Sequence, residues 1–182
     1  MREQLRRIRL LLLDVDGVLT DGRIFYNDHG VESKTFDVKD GHGLKLLQRA
    51  GLRVGIITGR SSEVVKVRAA ELGIDILFQG VRDKLEPYRR VLADYELQDS
   101  EVAYVGDDLV DLPILQRVGF AVTVADAVEE VKPTVHYVCR RPGGRGAVRE
   151  VCDLILKEAG YWPEVTARYF ATTAHSNPVP RS

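Results

Sequence analysis

Cysteine is scarce: the 182 residues hold two, Cys139 and Cys152, each inside an otherwise apolar run. That count excludes a disulfide scaffold, leaves a zinc centre without ligands, and suits reduced thiols in the cytoplasm. Excess charge is missing as well. Lysine and arginine number 26 against 27 aspartates and glutamates, a net charge of -1, so no broad positive field exists to gather nucleic-acid phosphates or anionic lipid. Long apolar runs are absent too, and nothing approaches the ~18 residues of a membrane helix. Arg2, Arg6, Arg7 and Arg9 before a run of leucines imitate a secretory signal, but the run stops at Asp14, short of the roughly 7–15 apolar residues such a signal needs. Neither nucleic acid nor a membrane is expected as a partner. With no repeat or low-complexity tract, and at 45% hydrophobic and 29% charged, the chain has the composition of a globular protein and the length for one compact domain.

What is present is an alternation. Short apolar runs at residues 8–13, 53–57, 76–78, 102–105, 120–124 and 135–138 predict strands, and residues 43–50, 62–72, 84–95, 109–118 and 147–159 carry helical spacing between and after them. Gly51, Gly73 and Gly119 stand where helices should stop. The order βαβα predicts an α/β fold with a doubly wound parallel sheet and no separate cap domain. One segment departs from it. Residues 23–26 and 33–36 flank Asn27-Asp28-His29-Gly30 and predict a small β-hairpin flap, about residues 22–37, after the first strand. Residues 1–159 are therefore expected to form the domain, and residues 160–182 an extended or mobile tail.

In open parallel sheets the ligand site lies beyond the carboxyl ends of the strands. Asp14-Val15-Asp16-Gly17, Thr58-Gly59-Arg60 and Gly106-Asp107-Asp108, with Asp111 following, all fall there. Each alone has a plainer reading as a strand end, a turn or a helix cap. Together they crowd carboxylates in a way that a cation explains. The donors are all oxygen, which selects Mg²⁺ over transition metals. A calcium loop is excluded, because the fifth, sixth and twelfth positions counted from Asp14 are Val18, Leu19 and Phe25. Mg²⁺ on few carboxylates implies a phosphorylated substrate, for which Thr58 can donate and Lys84 can neutralise. Lys84 also reads as an ordinary surface lysine.

The ordered set Asp14-Val15-Asp16-Gly17-Val18-Leu19-Thr20, Thr58-Gly59-Arg60, Lys84 and Gly106-Asp107-Asp108-Leu109-Val110-Asp111 resembles the four motifs of the haloacid dehalogenase phosphatases. Residues 14–22, Ile57-Thr58-Gly59-Arg60 and Gly143-Gly144-Arg145-Gly146-Ala147-Val148-Arg149-Glu150 narrow the resemblance to those members that act on 3-deoxy-D-manno-octulosonate 8-phosphate (KDO 8-phosphate), across residues 8–159. The resemblance implies that Asp14 attacks phosphorus and that Asp16 protonates the leaving oxygen and later activates water. It also implies that Asp14, the Asp16 backbone carbonyl and Asp107 hold Mg²⁺, with Asp111 holding a metal water or orienting Lys84, and that the assembly is a homotetramer making a lipopolysaccharide precursor.

Arginine grips carboxylates with two parallel bonds, so Arg60 and Arg145 are candidates for the carboxylate of a sugar acid, against plainer readings as solvent charges. Asp108 also reads as a helix cap, and His42 as filler at a helix start. Three rivals remain to be weighed. A phosphoacceptor switch domain uses similar residues, but its acceptor follows a middle strand. A non-catalytic oligomerisation module would not need the complete acidic set. A phosphatase for a nine-carbon sialic-type sugar acid carries an acidic residue where Arg60 stands.

Overall fold

Residues 2–170 are described by the structure, a computed structural model. Strand β1 (Leu10–Leu13) is four consecutive leucines, all fully buried, and lies inside a six-stranded parallel sheet. A strand covered on both faces needs apolar side chains at every position, and these four divide accordingly. Leu11 and Leu13 join one hydrophobic cluster, Leu10 and Leu12 the other. The hairpin strands β2 (Phe25–Tyr26) and β3 (Glu32–Ser33) form a separate antiparallel pair. The remaining strands are β4 (Arg53–Ile57), β5 (Ile76–Phe78), β6 (Val102–Val105), β7 (Phe120–Thr123) and β8 (Tyr137–Val138). Their order across the sheet is β5-β4-β1-β6-β7-β8, so the chain reverses direction of travel at β1, where β4 and β6 flank it.

Helices α2 (Val38–Arg49) and α6 (Ala147–Ala159) cover one face, and α4 (Leu85–Asp94) with α5 (Leu112–Leu115) the other. Asp37 starts α2 by accepting from the Lys39 amide at 2.6 Å, five residues before the apolar spacing suggested. A side chain at Gly43 would collide with Arg149 and Cys152, so the glycine lets α2 lie flush on α6. Helix α3 (Glu63–Leu72) begins at the Ser62 cap and ends at Gly73 in the left-handed conformation, as expected. The helix expected over residues 109–118 is shorter. A single 3₁₀ turn (Leu109–Asp111), capped by Asp108, leads into α5, which holds four residues.

Two further differences concern the ends of the expected domain. A short helix α1 (Arg2–Arg6) precedes β1, with Leu5 fully buried. Trp162–Phe170 form helix α7, where an extended or mobile tail was expected. Pro163 fits a first helical turn, and Val165 and Thr166 are buried as the helix folds back on α2 and α6. Tyr169 accepts a hydrogen bond from Arg49 at 2.6 Å, and Lys157 sits over the Trp162 ring. None of Tyr161, Trp162, Tyr169 or Phe170 lines the cavity at the carboxyl edge of the sheet. The rest of the expected tail, residues 171–182, lies outside the described residues. The hairpin is present but smaller than expected. Asn27 accepts from the amides of His29 and Val31 and closes a tight turn, which leaves two residues on each side to pair.

Candidate active site

Strand β1 delivers Asp14 to the carboxyl edge of the sheet, where its amide donates to the Val105 carbonyl of β6 at 3.0 Å. The chain then turns sharply, with the amides of Leu19 and Thr20 both donating to the Val15 carbonyl. Gly17 makes that turn with φ +90, and a side chain there would run into the Asp107 carboxylate. Two acidic strand ends are thereby brought into contact. Thr58, buried at the end of β4, and Lys84, buried at the start of α4, complete the wall.

One ammonium serves this cluster. Lys84 Nζ lies 3.0 Å from Asp14 Oδ2 and donates to Asp111 Oδ1 at 2.7 Å. Beneath it the fully buried Tyr104 hydroxyl also donates to Asp111 Oδ1, at 2.5 Å, while Asp111 Oδ2 accepts from the amides of Asp107 and Asp108. Asp111 therefore has both oxygens engaged, one of them by Lys84 and Tyr104 together. Burial would pull Lys84 down, but Asp14 and Asp111 outweigh it and hold the ammonium above its usual range. The carboxylates are not balanced in return. Burial, then the Asp111 charge, pushes Asp14 up to about 6 despite Lys84. Burial, then the charges of Asp14 and Asp111, pushes Asp107 up to about 8.

Asp14 Oδ1 and Asp107 Oδ1 are buried and lack any hydrogen-bond partner. Carboxylate oxygens of Asp14, Asp107 and Asp111 lie within 4.8 Å of one another. The unsatisfied oxygens of Asp14 and Asp107, crowded by the Asp111 carboxylate, make an all-oxygen, mutually repulsive set that fits a hard divalent cation such as Mg²⁺.

The cavity in front of it measures about 220 Å³ and is lined by Asp14, Asp16, Thr58, Arg60, Lys84 and Asp107, among others. Six of the expected site residues thus converge. Asp111 supports them from below. Asp108 lines the cavity and its side chain also accepts from the Leu109 amide as a cap, so its helix-cap reading holds. Arg145 is not brought in. It is exposed, lies 3.7 Å from Asp21 and does not line the cavity. Side chains at Gly143 and Gly144 would strike the backbone of Gly17 and Thr20, and the Gly144 amide donates to the Val18 carbonyl at 2.9 Å. These glycines press the loop against the turn after β1. His42 stands on α2 beside Tyr169, away from the site.

Sequence reasoning missed Lys34 and Tyr104. Lys34 reaches from the hairpin to Asp16, with its side chain fully shielded. Arg60 Nε is 3.7 Å from the other Asp16 oxygen, and its Nη2 meets Tyr26 at 2.8 Å and Glu32 at 3.2 Å. Nothing in the spacing of residues 32–34 pointed across to Asp16. Tyr104, by contrast, was legible as a polar-tipped side chain in an apolar strand that enters the acidic motif. A larger cavity of about 620 Å³ lies beside α6, and two of its three arginines have carboxylate partners: Arg149 meets Asp153 at 2.7 Å and Arg140 meets Glu150 at 4.0 Å. Size does not mark the chemistry here; the unpartnered acids do.

Known proteins resemble this chain in sequence and in fold. Residues 40–119 match the family model of haloacid dehalogenase-like hydrolases. The 3-deoxy-D-manno-octulosonate 8-phosphate phosphatase KdsC of Yersinia pestis is 52% identical over 149 residues, covering 82% of this chain and 80% of that protein. The enzyme of the same name from Escherichia coli K12 is 49% identical over 84% of this chain and 81% of its own length. A crystal structure of the Moraxella catarrhalis phosphatase, in complex with magnesium, phosphate and KDO, superposes with a TM-score of 0.90 at 42% identity, covering 92% of this chain and 97% of that one.

Proposed function

The chain belongs to the haloacid dehalogenase-like hydrolases and, within them, to the family of KDO 8-phosphate phosphatases, and from that premise we propose that it hydrolyses KDO 8-phosphate to KDO and inorganic phosphate. The observation that carries this reading is the partnerless Asp14 oxygen facing a small cavity beside Thr58 and Lys84. An oxygen so placed can attack phosphorus.

Asp14 is the nucleophile: its carboxylate forms a bond to phosphorus as the bond from phosphorus to the sugar oxygen breaks, leaving an aspartyl phosphate. Asp16 gives that sugar oxygen its proton. It then takes a proton from the water that attacks the aspartyl phosphate, so that inorganic phosphate leaves and the Asp14 carboxylate is restored. Thr58 and Lys84 bind the phosphoryl oxygens, and Asp111 with Tyr104 keeps Lys84 aimed at them. Asp14, Asp107 and the Asp16 backbone carbonyl would hold Mg²⁺, which when bound offsets the charge of phosphate against carboxylate. Arg60, which lines the cavity, faces the sugar acid.

The same reading makes residues 1–159 the catalytic unit, with the hairpin of residues 22–37 as its flap, in a cytoplasmic homotetramer that supplies a lipopolysaccharide precursor. Among the described residues no helix is long and apolar enough to cross a membrane. Exposed Phe25, Tyr26 and Val31 give the hairpin an apolar surface that a second subunit would cover.

Phosphate release tests the assignment. KDO 8-phosphate should be turned over far faster than a sialic acid 9-phosphate or a hexose phosphate, and a chelator should stop the reaction until Mg²⁺ is returned. Preference for the nine-carbon acid would transfer the assignment to the rival substrate.

A further inference from the structure

We propose that Lys34 is a positioning residue for this reaction, fixing the Asp16 carboxylate at the leaving oxygen from its place on the hairpin. The inference rests on the phosphatase reading given above.

A lysine side chain gives up strong hydration when buried and is found there only with partners. Lys34 has none of its side chain exposed, and its ammonium meets two carboxylates, Asp16 Oδ1 and, at 3.4 Å, Glu32 Oε1. Glu32 is held in turn by Arg60, whose Nε lies 3.7 Å from Asp16 Oδ2. The two cations and two carboxylates close a ring between the hairpin and the loop after β4. Each Asp16 oxygen faces one of the cations, so rotation of the carboxylate is restrained from both sides. Arg60 is 43% exposed and its contact is long, which leaves Lys34 as the stronger tether. Lys34 does not line the cavity, whereas Asp16 and Arg60 do. Its effect must therefore pass through Asp16, not through the substrate.

A general acid has to stand within hydrogen-bond reach of the oxygen it protonates, and a displacement of about 1 Å can cost roughly a hundredfold in rate. The demand differs between leaving groups. A sugar alkoxide needs its proton, whereas nitrophenolate leaves without one.

Lys34→Met, assayed with Mg²⁺ present, should lower kcat and kcat/KM for KDO 8-phosphate together, by about 10- to 100-fold, with KM unchanged. The kcat/KM for p-nitrophenyl phosphate should fall by less than about threefold, and Lys34→Arg should recover most of the lost sugar-phosphate rate. Retained aryl turnover itself certifies a folded site. If circular dichroism shows that the Met variant does not fold, Lys34→Gln carries the same comparison. Equal losses of kcat/KM on both substrates, a loss confined to KM, or an Arg variant no better than the Met variant would each overturn the proposal. Should KDO 8-phosphate prove not to be the substrate, the alkyl phosphate hydrolysed best takes its place, so the failure of that assignment is read separately from the failure of this one.

Discussion

At the scale of single residues, the site is held together against its own charge. Asp107 contributes an oxygen with no partner and a carboxyl pushed up to about 8 by burial and by Asp14 and Asp111. Raised above its unfolded value, such an acid favours the folded state when protonated, and that contribution is lost as pH rises from about 4 through about 8. Asp107→Asn should therefore raise the melting temperature of the metal-free protein at pH 8, by about 2–4 °C for each kcal/mol of repulsion relieved, while Mg²⁺ ceases to stabilise it. A variant less stable without metal, or one still stabilised by Mg²⁺, would contradict the placement of the cation. Tyr104→Phe removes one donor to Asp111 and should leave the fold intact but lower turnover about tenfold, since Lys84 loses its fixed partner; unchanged kinetics would show that the amides of Asp107 and Asp108 suffice. The acids of this site were legible because Asp14, Asp16, Asp107 and Asp111 stand in short motifs at strand ends. Lys34 was not, since its link to Asp16 exists only once the hairpin folds over.

Among the elements, the contact between α2 and α6 decides how the loop of residues 143–146 meets the turn after β1. Asp40, inside α2, is buried, and its two oxygens accept from the amides of Arg149 at 2.7 Å and Gly146 at 3.2 Å, so one helix caps the next across 106 residues of sequence. That role was hidden in the sequence, where Asp40 stands before the helical spacing of residues 43–50 and far from residues 146–149. Burial pushes Asp40 up from 3.8 to about 6, against the two amide donors. The folded chain thus binds this proton more tightly than the unfolded one, and stability falls by roughly 3 kcal/mol as pH rises from about 4 through about 6. Thermal melts of Asp40→Asn should show that segment missing: the variant gains on the wild type between pH 4 and pH 6 and runs parallel above. A difference that does not vary with pH would place the effect elsewhere. The strands and the helices α3 and α6 were readable from apolar spacing and end glycines. Helix α7 was not, because Pro163 and a short apolar stripe gave no clear helical period.

For the whole molecule, the sheet order puts β1 between β4 and β6, which is why motifs separated by more than 40 residues meet in one cavity. That convergence was legible from the βαβα order alone. Closure of the cavity was not, because no insertion in the described chain covers it and the hairpin's apolar residues face outward. Deleting residues 27–31 should reduce the proposed tetramer to smaller species by light scattering and cut turnover of the sugar phosphate; an intact, fully active tetramer would sink the role given to the hairpin. The account as a whole stands on Asp14 as the atom that takes up phosphate. The most direct measurement is acid quench of the enzyme during turnover of KDO 8-phosphate, followed by mass spectrometry of its peptides. The account predicts one phosphoryl group, on the peptide carrying Asp14, and none in Asp14→Asn. A phosphoryl group on another residue, or near-normal turnover by Asp14→Asn, would contradict it.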